Sequence, residues 1–239
     1  MFYPRSTGFY SHPAATDFLL EAGQDRIHLR MHMYPEAKAS VLIFHGNGEL
    51  VLHYDRIANQ YRAMGLQMAV MDYRGYGMST GKPTLQNSMS DAVIAFEKFV
   101  EETGDKPKFI LGRSIGGFAA SHLYAHVEPG RIAGFMIECG VSDSVALINR
   151  HHSADSQMQM QSISYISPTA NYARGSAPIL FIHGSADRLV RPSESEVAFD
   201  QIKTPHKHLK IIDGAGHNDL WQFEEYWTAI NQFIENQLK

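Results

Sequence analysis

Short, uninterrupted apolar runs recur along the chain, separated by stretches of helical periodicity and by polar, glycine-rich loops. Ser40 to Phe44, Gln67 to Met71, Lys108 to Leu111, Ile132 to Ile137, Ala177 to Ile182 and Leu209 to Ile212 are the runs. Each is too short for a helix and reads as a strand covered on both faces. Phe18 to Leu20 and Ile27 to Met33 instead alternate on either side of Gly23, which predicts a hairpin. Between the runs, Leu52 to Met64 has helical character, and Met89, Val93, Phe96 and Val100 recur on one helical face. Phe118 to Ala125 reads as a further helix, and Leu220, Phe223, Trp227, Ile230 and Ile234 mark a long amphipathic C-terminal one. Asp219 and Gln222 are expected to form its capping box. Strands alternating with helices predict an α/β fold, a largely parallel sheet with helices on both faces. Val141 to Gly175 breaks the rhythm, being polar with His151, His152, Met158 and Met160, and reads as a short lid crossing the strand ends.

In such a sheet, ligands bind beyond the carboxyl ends of the strands, where the glycine-rich loops fall. Gly112-Arg113-Ser114-Ile115-Gly116 follows one strand and opens a helix, the context that a G-x-S-x-G nucleophile elbow requires. A serine hydroxyl needs a positioned base, itself oriented by an acid. His217, in the loop Gly214-Ala215-Gly216-His217 after the last strand, is the candidate base. Asp187, directly after the preceding strand, is the candidate acid, giving the chain order Ser114, Asp187, His217. Asp143 is the competing acid; Asp187 is preferred because its loop immediately precedes the strand leading to the histidine. Two N–H donors for an oxyanion are expected from the backbone of Ile115 and of Asn47, in His45-Gly46-Asn47-Gly48.

Together these segments resemble the α/β-hydrolase superfamily, in its serine-aminopeptidase, monoglyceride-lipase and lysophospholipase-like branch. The motifs are His-Gly-Asn-Gly at 45–48, Asp-Tyr-Arg-Gly-Tyr-Gly-Met-Ser at 72–79, Gly-Arg-Ser-Ile-Gly at 112–116, His-Gly-Ser-Ala-Asp at 183–187 and Gly-Ala-Gly-His at 214–217. The resemblance implies one α/β-hydrolase domain over residues 1–239, a mostly parallel eight-stranded sheet and a short lid insertion at about 141–175. It also implies a supporting role for His45 behind the oxyanion loop. The insertion is shorter than in relatives with large substrates, which favours a small or medium acyl group. Leu50, Met78, Ile115, Val190 and Leu220 are placed by their loops to line its pocket, with core packing as the alternative. Arg74, Asp72 and Arg113 read as braces for their loops.

Composition narrows the remaining classes. Of 239 residues, 44% are hydrophobic and 19% charged, as in ordinary globular domains. A net charge of −4 supplies no basic field, which argues against a nucleic-acid partner. No apolar run reaches the length of a membrane span. The single Cys139 precludes an internal disulfide and reads as a buried structural thiol, so a reducing, cytoplasmic setting is expected. Neither His151-His152 nor His206 and His208 have companions at metal-ligand spacing, and no metal or cofactor is expected. The leading expectation is an esterase working through an acyl-enzyme on a small-molecule ester. A peptidase or thioesterase, or a non-catalytic small-molecule receptor on the same fold, are the alternatives.

Overall fold

The computed structural model describes residues 2–8, 10–142 and 166–239. Eight strands form one sheet: β1 (Thr16–Ala22), β2 (Asp25–His32), β3 (Ala39–Phe44), β4 (Leu66–Asp72), β5 (Lys108–Arg113), β6 (Gly134–Glu138), β7 (Ile179–Gly184) and β8 (Lys207–Ile212). Their order is β1-β2-β4-β3-β5-β6-β7-β8. The first two strands make the expected hairpin, β2 runs antiparallel to β4, and every other pairing is parallel.

The alternation of side chains across the strands divides the core in two. Leu42, Phe44, Ala69, Met71, Ile110, Phe135, Ile137, Ile179 and Phe181 point to one face. There they meet Phe96 and Phe99 of α3 (Leu85–Thr103), Phe118 and Leu123 of α4 (Gly116–His126) and Ala198 of α6 (Ser193–Gln201). Val41, Ile43, Met68, Val70, Phe109, Leu111, Met136, Leu180 and Ile182 point to the other. That face is covered by Tyr61 of α2 (Ala58–Ala63) and by Ile230, Phe233 and Ile234 of α7 (Glu224–Gln237). Apolar residues at every position of a strand are what a sheet covered on both sides demands.

Two helices depart from the sequence pattern. The helix expected over Leu52 to Met64 is α1 (Val51–Tyr54), a 3₁₀ turn (Asp55–Ile57) and α2. At that break Asp55 turns to β2, receiving hydrogen bonds from Arg30 Nη1 at 2.9 Å and His32 Nε2 at 2.8 Å. The C-terminal helix begins at Glu224, after a separate 3₁₀ turn (Leu220–Gln222), and the predicted capping box is absent. Asp219 instead receives the Gly216 N–H at 2.7 Å, tying the loop that carries His217.

Part of the expected lid is anchored in the core. Ser167 caps the short helix α5 (Pro168–Tyr172) through the Ala170 N–H, and the buried Tyr172 ring stacks edge-on against Tyr124 and Phe181. Asp143, His151, His152, Met158 and Met160 lie outside the described residues.

Candidate active site

The elbow is set by sterics. β5 enters at Gly112, and α4 leaves at Gly116. A Cβ on Gly112 would lie 2.7 Å from Ala120 Cβ, and one on Gly116 only 2.0 Å from the Phe44 carbonyl oxygen. Two glycines therefore let strand, helix and the neighbouring β3 approach closely enough to leave Ser114 at the apex. Ser114 takes φ 53, a left-handed conformation that a serine holds only when its surroundings impose it.

His217 brings the loops together. Its Nε2 lies 3.1 Å from Ser114 Oγ across 103 residues of sequence, and its Nδ1 lies 2.7 Å from Asp187 Oδ2. The tautomer that satisfies both donates Nδ1–H to the carboxylate and accepts the serine hydroxyl at Nε2. The Asp187 side chain is fully buried, and Oδ1 accepts the N–H groups of Leu189 at 2.8 Å and Val190 at 2.9 Å. Burial alone would raise the carboxyl pKa. Hydrogen bonds from His183, His217 and the Val190 N–H outweigh it and hold Asp187 far below the usual carboxylate range.

His183 carries no assigned role in the sequence reading. Its Nε2 lies 3.1 Å from Asp187 Oδ2 and 3.0 Å from the Val190 carbonyl, while Nδ1 lies 2.7 Å from Ser195 Oγ. Its i, i+4 spacing from Asp187 within the 183–187 motif is the signal that could have found it.

The loop after β3 is held from several sides. The Tyr73 hydroxyl donates to the His45 carbonyl at 2.9 Å, and His45 Nε2 approaches the buried Asp72 at 3.2 Å. Asp72 also receives the Val51 N–H at 3.0 Å and His28 Nδ1 at 3.3 Å. The Asn47 side-chain oxygen accepts the Tyr76 hydroxyl at 2.7 Å and the Tyr3 N–H at 2.9 Å. At the start of α4, the Ile115 N–H makes no backbone hydrogen bond among the described residues. Arg74 braces its loop through Asp91 and Asp25, and Arg113 through Glu49 and Glu138.

Of the residues placed at the acyl pocket, Leu50, Ile115 and Val190 share the cluster on the α4 face of the sheet. Leu220 is fully buried in the cluster on the other face, beside Ile212 and Ile230, and Met78 is half-buried. Cys139 is buried at the end of β6, and burial followed by the negative charge of Glu138 pushes its thiol pKa well up. Donor atoms of Cys139, Asp187 and His217 lie within 4.8 Å of one another, as do those of His12, His32 and Asp55. In the second group His32 Nε2 is bonded to Asp55, whose other oxygen is held by Arg30. Among the described residues no helix is long and apolar enough to cross a membrane.

The family model for serine aminopeptidase, S33, matches residues 35–143 and 143–224. The human alpha/beta hydrolase domain-containing protein 17B is 28% identical over an alignment of 211 residues that covers 85% of this chain and 69% of that protein. The Pyrococcus furiosus esterase Pf2001 superposes with a TM-score of 0.79 at 17% identity, over 100% of this chain and 98% of that one. A monoacylglycerol lipase from Paleococcus ferrophilus superposes with a TM-score of 0.65 at 20% identity, over 89% of this chain and 98% of that one. The chain belongs to the serine aminopeptidase S33 family of α/β hydrolases.

Proposed function

We propose that this hydrolase cleaves a carboxylic ester of a small or medium acyl group through an acyl-enzyme. The observation that carries the reading is the pair of contacts at His217, 3.1 Å to Ser114 Oγ and 2.7 Å to Asp187 Oδ2. A nucleophile within reach of a base, and that base within reach of a buried anion, is the arrangement acyl transfer uses. Ser114 Oγ attacks the carbonyl carbon as His217 Nε2 takes its proton. The backbone N–H groups of Ile115 and Asn47 receive the oxyanion. The imidazolium, held by Asp187, protonates the leaving alkoxide. Water then repeats the sequence and releases the acid. The names of the superposing esterase and monoacylglycerol lipase favour an ester as the bond cleaved.

Peptide cleavage is the second reading, favoured by the description of the family. A thioester is chemically within reach of the same groups. The domain is read as one unit over 1–239.

A fluorophosphonate probe is expected to label the protein, and Ser114→Ala to take no label; undiminished labelling of that variant would remove Ser114 from the role. A panel of p-nitrophenyl esters of rising acyl length, with an aminoacyl anilide and an acyl thioester beside it, identifies the bond. Turnover falling off beyond short acyl chains is expected. Cleavage of the anilide alone would establish the peptidase reading instead.

A further inference from the structure

We propose that Arg113 is a positioning residue that fixes the oxyanion loop and the histidine loop against each other, and so sets the geometry in which Ser114 reacts. This rests on the acyl-transfer reading above. Arg113 directly precedes the nucleophile, and its side chain lines a pocket together with Glu49, Glu138 and Asn218. The guanidinium is almost wholly buried, with 9% of the side chain exposed, and it reaches three parts of the chain at once. Nη1 lies 2.6 Å from Glu49 Oε1, Nε donates to Glu138 Oε1 at 3.0 Å, and Nη2 donates to the His217 carbonyl and to Asn218 Oδ1, both at 2.9 Å.

Each partner is itself tied to the site. Glu49 Oε2 accepts the Gly46 N–H at 2.7 Å, next to Asn47, and the Tyr54 hydroxyl at 2.8 Å. The Glu138 carbonyl accepts the Ser114 N–H at 2.8 Å, and Glu138 Oε2 accepts the Tyr226 hydroxyl at 2.8 Å. A continuous path of polar contacts therefore runs from Gly46 through Glu49 and Arg113 to the backbone of His217. Burial would weaken the charge of Arg113, but the carboxylates of Glu49 and Glu138 more than offset it. The link is ionised throughout the range in which such an enzyme works.

The planar fork of an arginine is needed here. A lysine ammonium is a point charge and does not span a carboxylate on one loop and a carbonyl on another. Displacing a reacting group by about 1 Å costs on the order of 10²-fold in rate, so a slackened link shows in turnover. A cavity of about 230 Å³, lined in part by Glu49, Arg113, Glu138, Asn218 and Trp221, adjoins the fork. It gives free guanidinium ion a way to the vacated position in a truncated variant.

The test is steady-state kinetics on p-nitrophenyl acetate, with thermal melts to establish that each variant is folded at the assay temperature. Arg113→Lys is expected to lower kcat by roughly 10- to 100-fold with KM within about twofold of the wild type. Glu49→Gln, of the same volume, breaks the ionic step to the oxyanion loop and should cost a similar factor. The double variant should be no slower than the slower single, since both cut one path. In Arg113→Ala, added guanidinium chloride, far below unfolding concentrations, should restore part of the kcat. A purely structural role would instead lower the melting midpoint and leave the kcat of the folded fraction intact. A folded Arg113→Lys with kcat within about twofold of wild type overturns the proposal, as does a loss confined to KM or a multiplicative double variant. If Arg113→Lys does not fold, Glu49→Gln decides by the same criterion. A wild-type chain that takes no fluorophosphonate label overturns the acyl-transfer reading and the strut with it. A labelled wild type with an indifferent Arg113→Lys overturns the strut alone.

Discussion

His183 and Asp187, one helical turn apart in number, meet at 3.1 Å through Nε2 and Oδ2, and the same oxygen receives His217 Nδ1. The Asp187 carboxylate is thus held by one histidine and reaches another. With Ser195 donating to Nδ1 and Val190 accepting beside Asp187, His183 is buried with its polar atoms matched. Replacing it with alanine strands the Ser195 hydroxyl and the Val190 carbonyl. At about 1–3 kcal/mol for each buried group left without a partner, His183→Ala is expected to lower stability by at least about 2 kcal/mol. Urea unfolding measures it; an unchanged midpoint would show that this histidine does not brace the acid.

Asp187→Asn keeps the shape of the side chain and removes its charge. Turnover of a p-nitrophenyl ester is expected to fall by roughly 10⁴-fold, as when the triad aspartate of a serine protease becomes asparagine. The same change at Asp143 should leave turnover within a few-fold of wild type. The reverse pattern would transfer the acid's role to Asp143.

Gly116→Ala places a methyl group 2.0 Å from the Phe44 carbonyl oxygen, a backbone atom that cannot turn aside. Overpacking of this kind costs about 1–3 kcal/mol and more where the backbone must shift. The variant is expected to express poorly or melt well below wild type, and its folded fraction to lose labelling at Ser114. A variant with native melting and labelling would show that the elbow does not depend on this close approach.

Asp72, Asp187 and Glu49 all titrate below their ordinary values of 3.8 and 4.5 in the folded chain. For Asp72 and Asp187 burial opposes this and hydrogen bonds from His28, His45, His183 and His217 win; for Glu49 burial is outweighed first by Arg113. A depressed folded pKa means that the unfolded chain binds the proton first. The stabilisation is therefore complete above the unfolded values and fades as pH falls below them. Melting midpoints are expected to be level from neutrality to about pH 5 and then to drop. The drop should be shallower in Asp187→Asn. Equal acid sensitivity in both proteins would remove Asp187 as a contributor.

What could be read from the chain divides along physical lines. The meeting of Ser114, Asp187 and His217 could be expected because each sits in its own short loop at a strand end, and the fold brings those ends together. Gly112 and Gly116 were legible because the steric need is local. The break in the helix after Tyr54 was not, since it depends on Arg30 and His32, far upstream of Asp55. Arg113 read only as a brace for its own turn, because its contact with His217 spans 104 residues. Leu220 read as a pocket residue from its loop alone; its side chain lies on the face of the sheet opposite α4. Local steric rules and strand-end placement survive translation from sequence to structure, while polar contacts that no motif marks, such as those of Arg113 and Asp55, do not announce themselves.

The strand order carries a consequence for how the molecule is made. β3 and β5 are partners at the middle of the sheet, with Ile43 opposite Leu111, yet β4 and α3 intervene in the chain. The central pairing closes a longer loop than the β3–β4 pairing beside it, at a greater entropic cost. β8, which leads into the loop bearing His217, lies at the outer edge of the sheet, beyond β7. Refolding from denaturant should therefore be slow, because most of the sheet pairs strands that are far apart in sequence.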